Sequence, residues 1–138
     1  MKLALKEAQK AFELDEVPVG AVVVCNNHVI ARAHNLTERL NDVTVHAEMQ
    51  AITAAANHLG AKYLNECTLY ITLEPCVMCA GALFWSQIGK IVFGAYDEKR
   101  GASTTGKVLY HPKTKVSGGL LGDESATLIK TFFQSKRK

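Results

Sequence analysis

The chain has 138 residues, 48% of them hydrophobic and 21% charged, and a net charge of +3. That length suits one domain with a real core, and so apolar a chain with so little net charge is not disordered. No apolar run reaches the roughly 18–20 residues of a membrane span, and Met1-Lys2-Leu3-Ala4-Leu5-Lys6 lacks a signal-peptide core, so a cytoplasmic globular protein without membrane contact is expected.

Leu3, Leu5, Ala8, Ala11, Phe12 and Leu14 recur near helical spacing and predict an opening amphipathic helix that Pro18 and Gly20 end. Residues 21–25 and 29–33 are β-rich and flank Asn26-Asn27-His28, where asparagine tolerates left-handed turn geometry; together they predict a hairpin. Val45 to Leu59 is rich in alanine and methionine and stops at Gly60, as a helix would. Cys67–Thr72 reads as a strand. Pro75 is suited to a first helical position, with Cys76 to Gln87 continuing as an apolar helix. Ile91–Tyr96 is the next strand, residues 97–122 are glycine-rich with one short strand expected near Val108-Leu109-Tyr110, and Asp123–Ser135 forms a closing helix with acidic residues at its start. Helices placed between strands serve as crossovers, so the fold class is α/β, with three layers and a mixed sheet of about five strands in a single domain over 1–138.

Charge is divided unevenly. Residues 1–89 hold six basic and nine acidic side chains, whereas residues 90–138 hold ten basic and four acidic ones. A basic C-terminal portion fits a polyanionic partner, or else an ordinary solvated surface with a basic tail.

Two short motifs carry the chemistry: His46-Ala47-Glu48 and Pro75-Cys76-Val77-Met78-Cys79. A Cys-x-x-Cys alone is a redox pair, half of a structural zinc site or two small buried hydrophobes. Combined, the motifs supply His46, Cys76 and Cys79 as metal ligands and Glu48 as a neighbouring carboxylate, and three protein ligands with an open fourth position are the pattern of catalytic zinc. Cys76 and Cys79, three apart at a helix start, share one face about 5–6 Å apart. His46 and Glu48 are about 200° apart around a helix, so both reach a metal only if it lies off the helix N-terminus. Two helices should therefore aim their starts at one ion. Zinc lowers the pKa of bound water from about 15.7 to about 7, worth roughly 12 kcal/mol. A placed proton shuttle such as Glu48 adds about 3–5 kcal/mol.

His46-x-Glu48 followed by Pro75-Cys76-x-x-Cys79 resembles the signature of the zinc nucleoside and nucleobase deaminases. The similarity to one branch, the bacterial tRNA-specific adenosine deaminases, extends through Glu16–Val23, Ala33-His34-Asn35, Val45–Glu48, Leu69–Leu83 and Val92–Ala95 to Phe132-Phe133. The resemblance implies a cytidine-deaminase-like α/β/α domain, one zinc per subunit held by His46, Cys76 and Cys79, and Glu48 as catalytic proton shuttle. It also implies Asn35 as a partner of the target base, Val17 lining the base pocket with the Ala47 backbone beside it, and Asp97 near the flanking nucleotide. The implied reaction is hydrolysis of the exocyclic amine of wobble adenosine, giving inosine in a tRNA anticodon stem-loop. A homodimer is implied, and DNA is not an expected partner. A free nucleobase or nucleoside (cytosine, cytidine or guanine) is the alternative substrate. A non-catalytic zinc module would need a fourth protein ligand, for which His34 and Cys67 are the candidates.

Other residues have plainer roles. His34 is expected to support the loop that presents Asn35, and Cys25 and Cys67 to be buried hydrophobes. Trp85 is a residue of core or dimer packing, or else a stacking platform. His111-Pro112-Lys113 is a plain loop or a phosphate contact, and Lys136-Arg137-Lys138 a solubilising end or a phosphate-contacting tail.

Overall fold

The computed structural model describes residues 1–137. In chain order it contains α1 (Lys2–Glu13), β1 (Gly20–Cys25), β2 (His28–His34), α2 (Ala47–Leu59), β3 (Cys67–Leu73), α3 (Val77–Ser86), β4 (Lys90–Ala95), β5 (Lys115–Gly118) and α4 (Gly122–Lys136), with a 3₁₀ turn at Ala102–Thr105. The strands form one sheet in the order β2-β1-β3-β4-β5. β1 is antiparallel to both β2 and β3, and β3, β4 and β5 run parallel. The sheet is mixed and α2 and α3 are crossovers, as the sequence predicts.

The hairpin forms for the expected reason. Asn26 and Asn27 both take positive φ, 50° and 65°, the two left-handed positions of a type I′ turn whose twist matches the strands it joins. Residues then alternate between faces. Ala21, Val23, Cys25, Leu69, Ile71, Ile91 and Phe93 pack with Ala47, Ala51 and Ala55 of α2 and Leu83 of α3. The small alanines let α2 lie close to the sheet. Val22 and Val92 are buried too, on the opposite face, and there Phe12 of α1 meets Phe132 of α4 edge-on at 5.8 Å. This gives three layers.

Gly20 marks the closest approach of α1 to the sheet. A Cβ there would collide with the Ala4 carbonyl and the Ala8 backbone nitrogen. Gly20→Ala is expected to destabilise the fold by about 1–3 kcal/mol, visible as a lowered thermal midpoint.

Three expectations are corrected. The fifth strand is Lys115–Gly118, not Val108-Leu109-Tyr110; it is an exposed edge whose residues show no apolar alternation, so hydrophobicity pointed to the wrong segment. Pro75 is not the first helical residue: α3 begins at Val77 with Cys76 as its N-cap. Likewise α2 begins at Ala47, with His46 as N-cap rather than Val45 inside the helix. At the C-terminus, Lys136 pairs with Asp15 and lies 5.5 Å over the Phe132 ring, which engages it within the fold. Lys138 lies outside the described residues.

Candidate metal centre and active site

Both motifs sit where extended chain turns into helix. His46 (φ −70°, ψ 157°) and Cys76 (φ −76°, ψ 177°) are the N-caps of α2 and α3. Each carbonyl already accepts the first helical bond, from Gln50 N–H at 3.2 Å and Ala80 N–H at 2.8 Å. Each side chain therefore stands at the helix end, where backbone N–H groups are unpaired and the dipole is positive. Glu48 and Cys79 follow in the first turns. The two helix starts meet as expected, and His46, Cys76 and Cys79 bring one ligand atom each within 4.8 Å of the others.

The distances suit zinc. His46 Nδ1 lies 3.7 Å from Cys76 Sγ and 3.5 Å from Cys79 Sγ. Tetrahedral zinc, with N and S bonds of about 2.05 and 2.3 Å, requires an N–S edge of about 3.6 Å. An imidazole with two sulfurs is also the soft-to-borderline donor set zinc favours. Among the described residues no other His, Cys, Asp or Glu joins this cluster. His34 instead contacts Glu7 Oε1 at 3.3 Å, and Cys67 pairs with Cys25 at the start of β3. A fourth protein ligand from either is thereby excluded.

The cluster is electrostatically prepared for a cation. Hydrogen bonding from Cys79, then the proximity of His46, holds the Cys76 thiol down at about 4 against the opposing effect of burial. The Cys76 sulfur and burial push Cys79 strongly upward. His46 is raised, mainly by its hydrogen bond with Cys76 and against the effect of burial. Glu48 is only 4% exposed, and burial, with the nearby Cys76 charge, pushes its carboxyl up to about 7.

Zinc takes cysteine as thiolate, and with Cys79 pushed upward its thiol proton must be displaced on binding. The unliganded state binds more protons, so rising pH favours the liganded state. Zinc added in weak buffer at pH 7 is expected to release about one proton or more per site, read with a pH indicator, and apparent affinity should fall as pH falls.

Of the remaining predicted site residues, Ala47 opens α2 and Val17, Asn35 and Asp97 lie on loops. Asn35, buried at the end of β2, donates from Nδ2 to the Val17 carbonyl at 3.4 Å and accepts from Thr37 N–H at 3.3 Å. Gln50 of α2 donates to the carbonyls of His34 (2.6 Å) and Val45 (3.3 Å), anchoring the Asn35 segment beside His46. Ala47 is wholly buried in the first turn of α2. Asp97 Oδ1 accepts from the N–H groups of Lys99 and Arg100, and its own N–H donates to Glu74 Oε1 at 3.1 Å. Trp85 is 76% exposed, which rules out the core-packing role.

Two buried glutamates matter that their residue type alone did not single out. Glu16 accepts from Glu38 N–H (2.9 Å) and Arg39 N–H (2.7 Å), fixing the loop after Asn35. Glu74 accepts from Asp97 N–H and, at 2.9 Å, from Ser103 N–H, while Cys76 bridges to Gly101. A Cβ at Gly101 would strike the Glu74 carboxylate, so this loop closes on it only with glycine there. The available signal was their position: each acid lies one or two residues before a proline. Tyr110 was missed as well. Its hydroxyl is buried without a partner among the described residues, and burial and then Glu74 and Glu48 push the phenol up.

Comparison with known proteins agrees with this geometry. The family model for the cytidine and deoxycytidylate deaminase zinc-binding region matches residues 1–95. The tRNA-specific adenosine deaminase of Bacillus subtilis is 47% identical over 143 residues, covering 100% of this chain and 89% of that protein. The one from Agrobacterium fabrum is 46% identical, covering 99% and 93%. A solved structure from studies of A-to-I editing by tRNA deaminases at the wobble position superposes with a TM-score of 0.86 and 45% identity, over 93% of this chain and 96% of that one.

Proposed function

The chain belongs to the cytidine and deoxycytidylate deaminase family with its zinc-binding region, and from that premise we propose that it converts wobble adenosine to inosine in tRNA. The observation that carries the chemistry is the meeting of His46, Cys76 and Cys79 beside the buried Glu48. The full-length similarity to tRNA-specific adenosine deaminases carries the substrate. We read residues 1–138 as one deaminase domain, acting in the cytoplasm. Among the described residues no helix is long and apolar enough to cross a membrane.

His46, Cys76 and Cys79 would hold the zinc, which would supply a water nucleophile activated at neutral pH. Glu48 handles the protons. Its carboxylate takes one proton from the attacking water and passes it to the adenine ring nitrogen; it then takes the remaining proton of the added hydroxyl and delivers it to the amine as the C–N bond breaks, so adenosine and water become inosine and ammonia. Burial keeps bulk water away from that carboxylate. Asn35 presents its amide to the base, Val17 walls the pocket with the Ala47 backbone beside it, and Asp97 faces the neighbouring nucleotide. A single-stranded anticodon loop suits such a site, because its bases are exposed at little unpairing cost.

Sequencing tRNA before and after incubation tests this: the first anticodon adenosine should read as inosine. Ammonia release is measured alongside on free bases, nucleosides and an anticodon stem-loop. Turnover confined to the small molecules would overturn the RNA assignment.

The same reading includes a homodimer. Along α3 the exposed Val77 and Trp85 and the uncrowded face at Gly81 recur every four residues, forming an apolar stripe beside the metal centre. Trp85→Lys is expected to shift the protein from dimer to monomer in sedimentation velocity, with loss of tRNA turnover. An unchanged dimer would place the interface elsewhere.

A further inference from the structure

Cys25 and Cys67 play no part in the site described above. They are the last residue of β1 and the first of β3, direct partners in the antiparallel register. Which kind of partner decides what they can do. Cys25 also pairs with His28 across the two-residue turn, and the closing pair of such a hairpin exchanges its backbone hydrogen bonds. The backbone groups of Cys25 therefore face β2, away from β3. On the other strand, Cys67 N–H donates to the Leu64 carbonyl at 3.0 Å, and its carbonyl faces Gly89, away from β1. Cys25 and Cys67 are thus a non-hydrogen-bonded pair, the close type, with Cα atoms about 4.5 Å apart and side chains on one face. That spacing falls inside the roughly 4.4–6.8 Å that a disulfide spans.

Both are free thiols, 7% and 1% exposed. We propose that Cys25 and Cys67 form a cross-strand dithiol that hydrogen peroxide converts to a disulfide, a reversible staple at the end of the sheet opposite the metal centre. Cys25, next to the exposed Asn26-Asn27 turn, is the first to react. Burial, and after it the neighbouring Cys25 sulfur, pushes the Cys67 thiol up to about 12, which disfavours it as the first thiol to meet peroxide. A small, uncharged oxidant suits so enclosed a pair. Cys25 Sγ attacks one peroxide oxygen, the O–O bond breaks, and the thiol proton leaves with the other oxygen as water, giving a sulfenic acid. Cys67 Sγ then attacks that sulfur, the S–O bond breaks, and the second thiol proton leaves with the hydroxide as water. Two thiols lose two electrons and peroxide becomes two waters.

The test uses the folded, zinc-loaded protein. It is exposed to hydrogen peroxide, blocked with an alkylating agent before unfolding, and digested without reductant for mass spectrometry. The expected product is a linked pair of peptides carrying Cys25 and Cys67, two hydrogens lighter than their sum and separated by reductant. It should be absent from Cys25→Ala and from Cys67→Ala. The oxidised wild type should melt on the order of 5 °C higher than the reduced one, since the bond restricts the unfolded chain, while tRNA turnover is kept. Oxidation that stops at sulfenic or sulfinic acid on either residue, alkylation of both thiols after peroxide, or linkage only to Cys76 or Cys79 would overturn the proposal.

Discussion

Glu48→Gln is expected to retain one zinc per chain and to lose about 10²–10⁴ in turnover on tRNA. The amide matches the carboxylate in size, so it fills the same buried position at the start of α2 without opening a cavity. What it cannot do is accept a proton from the attacking water and release it to the ring nitrogen and amine. The loss should therefore lie in kcat rather than in tRNA affinity, because Glu48 acts in the transition state and not on the anticodon stem. Metal analysis and single-turnover inosine formation, measured together, decide the matter. Turnover near wild type would remove Glu48 from its role.

Cys79→Ala should fail differently and more completely. It deletes one of three ligand atoms lying within 4.8 Å of one another, leaving His46 and Cys76, which are too few to hold zinc against solution ligands. Zinc content should drop close to zero and inosine formation below detection. The two losses differ in size for a physical reason. Metal activation of water is worth roughly 12 kcal/mol, whereas a placed acid–base group is worth about 3–5 kcal/mol. Cys79 is also wholly buried, so its removal lowers stability as well, and the thermal midpoint should stop responding to added zinc. If Cys79→Ala bound zinc as wild type does and turned over tRNA, the three-ligand centre would be wrong.

The electrostatics link these two outcomes. One helix start contributes His46 with Glu48, the other Cys76 with Cys79, and each group alters the protonation of the rest. Cys76 is held down while Cys79, His46 and Glu48 are pushed up, so binding a cation there also moves protons.

The chain itself determined most elements, because their causes are local. Paired asparagines at 26 and 27 took the left-handed geometry a tight hairpin requires, Gly60 ended α2 at φ 65°, and the apolar runs read at 67–72 and 91–96 fall on inner strands of the sheet, within one residue at each end. The donors of the metal cluster were legible for the same reason: imidazole and thiolates name their chemistry, and their spacing limits where a metal can lie. Tertiary structure alone decided the rest. β5 is exposed throughout and exists because β4 offers it a parallel edge, so no periodicity within 115–118 announces it. His46 and Cys76 became N-caps, rather than interior residues of their helices, each with extended φ/ψ of its own. Glu16 and Glu74 hold loops through backbone N–H groups 22 to 29 residues away, and the Cys25–Cys67 pairing depends on β3 returning beside β1. Such contacts join residues distant along the chain, and only the folded backbone fixes which ones meet.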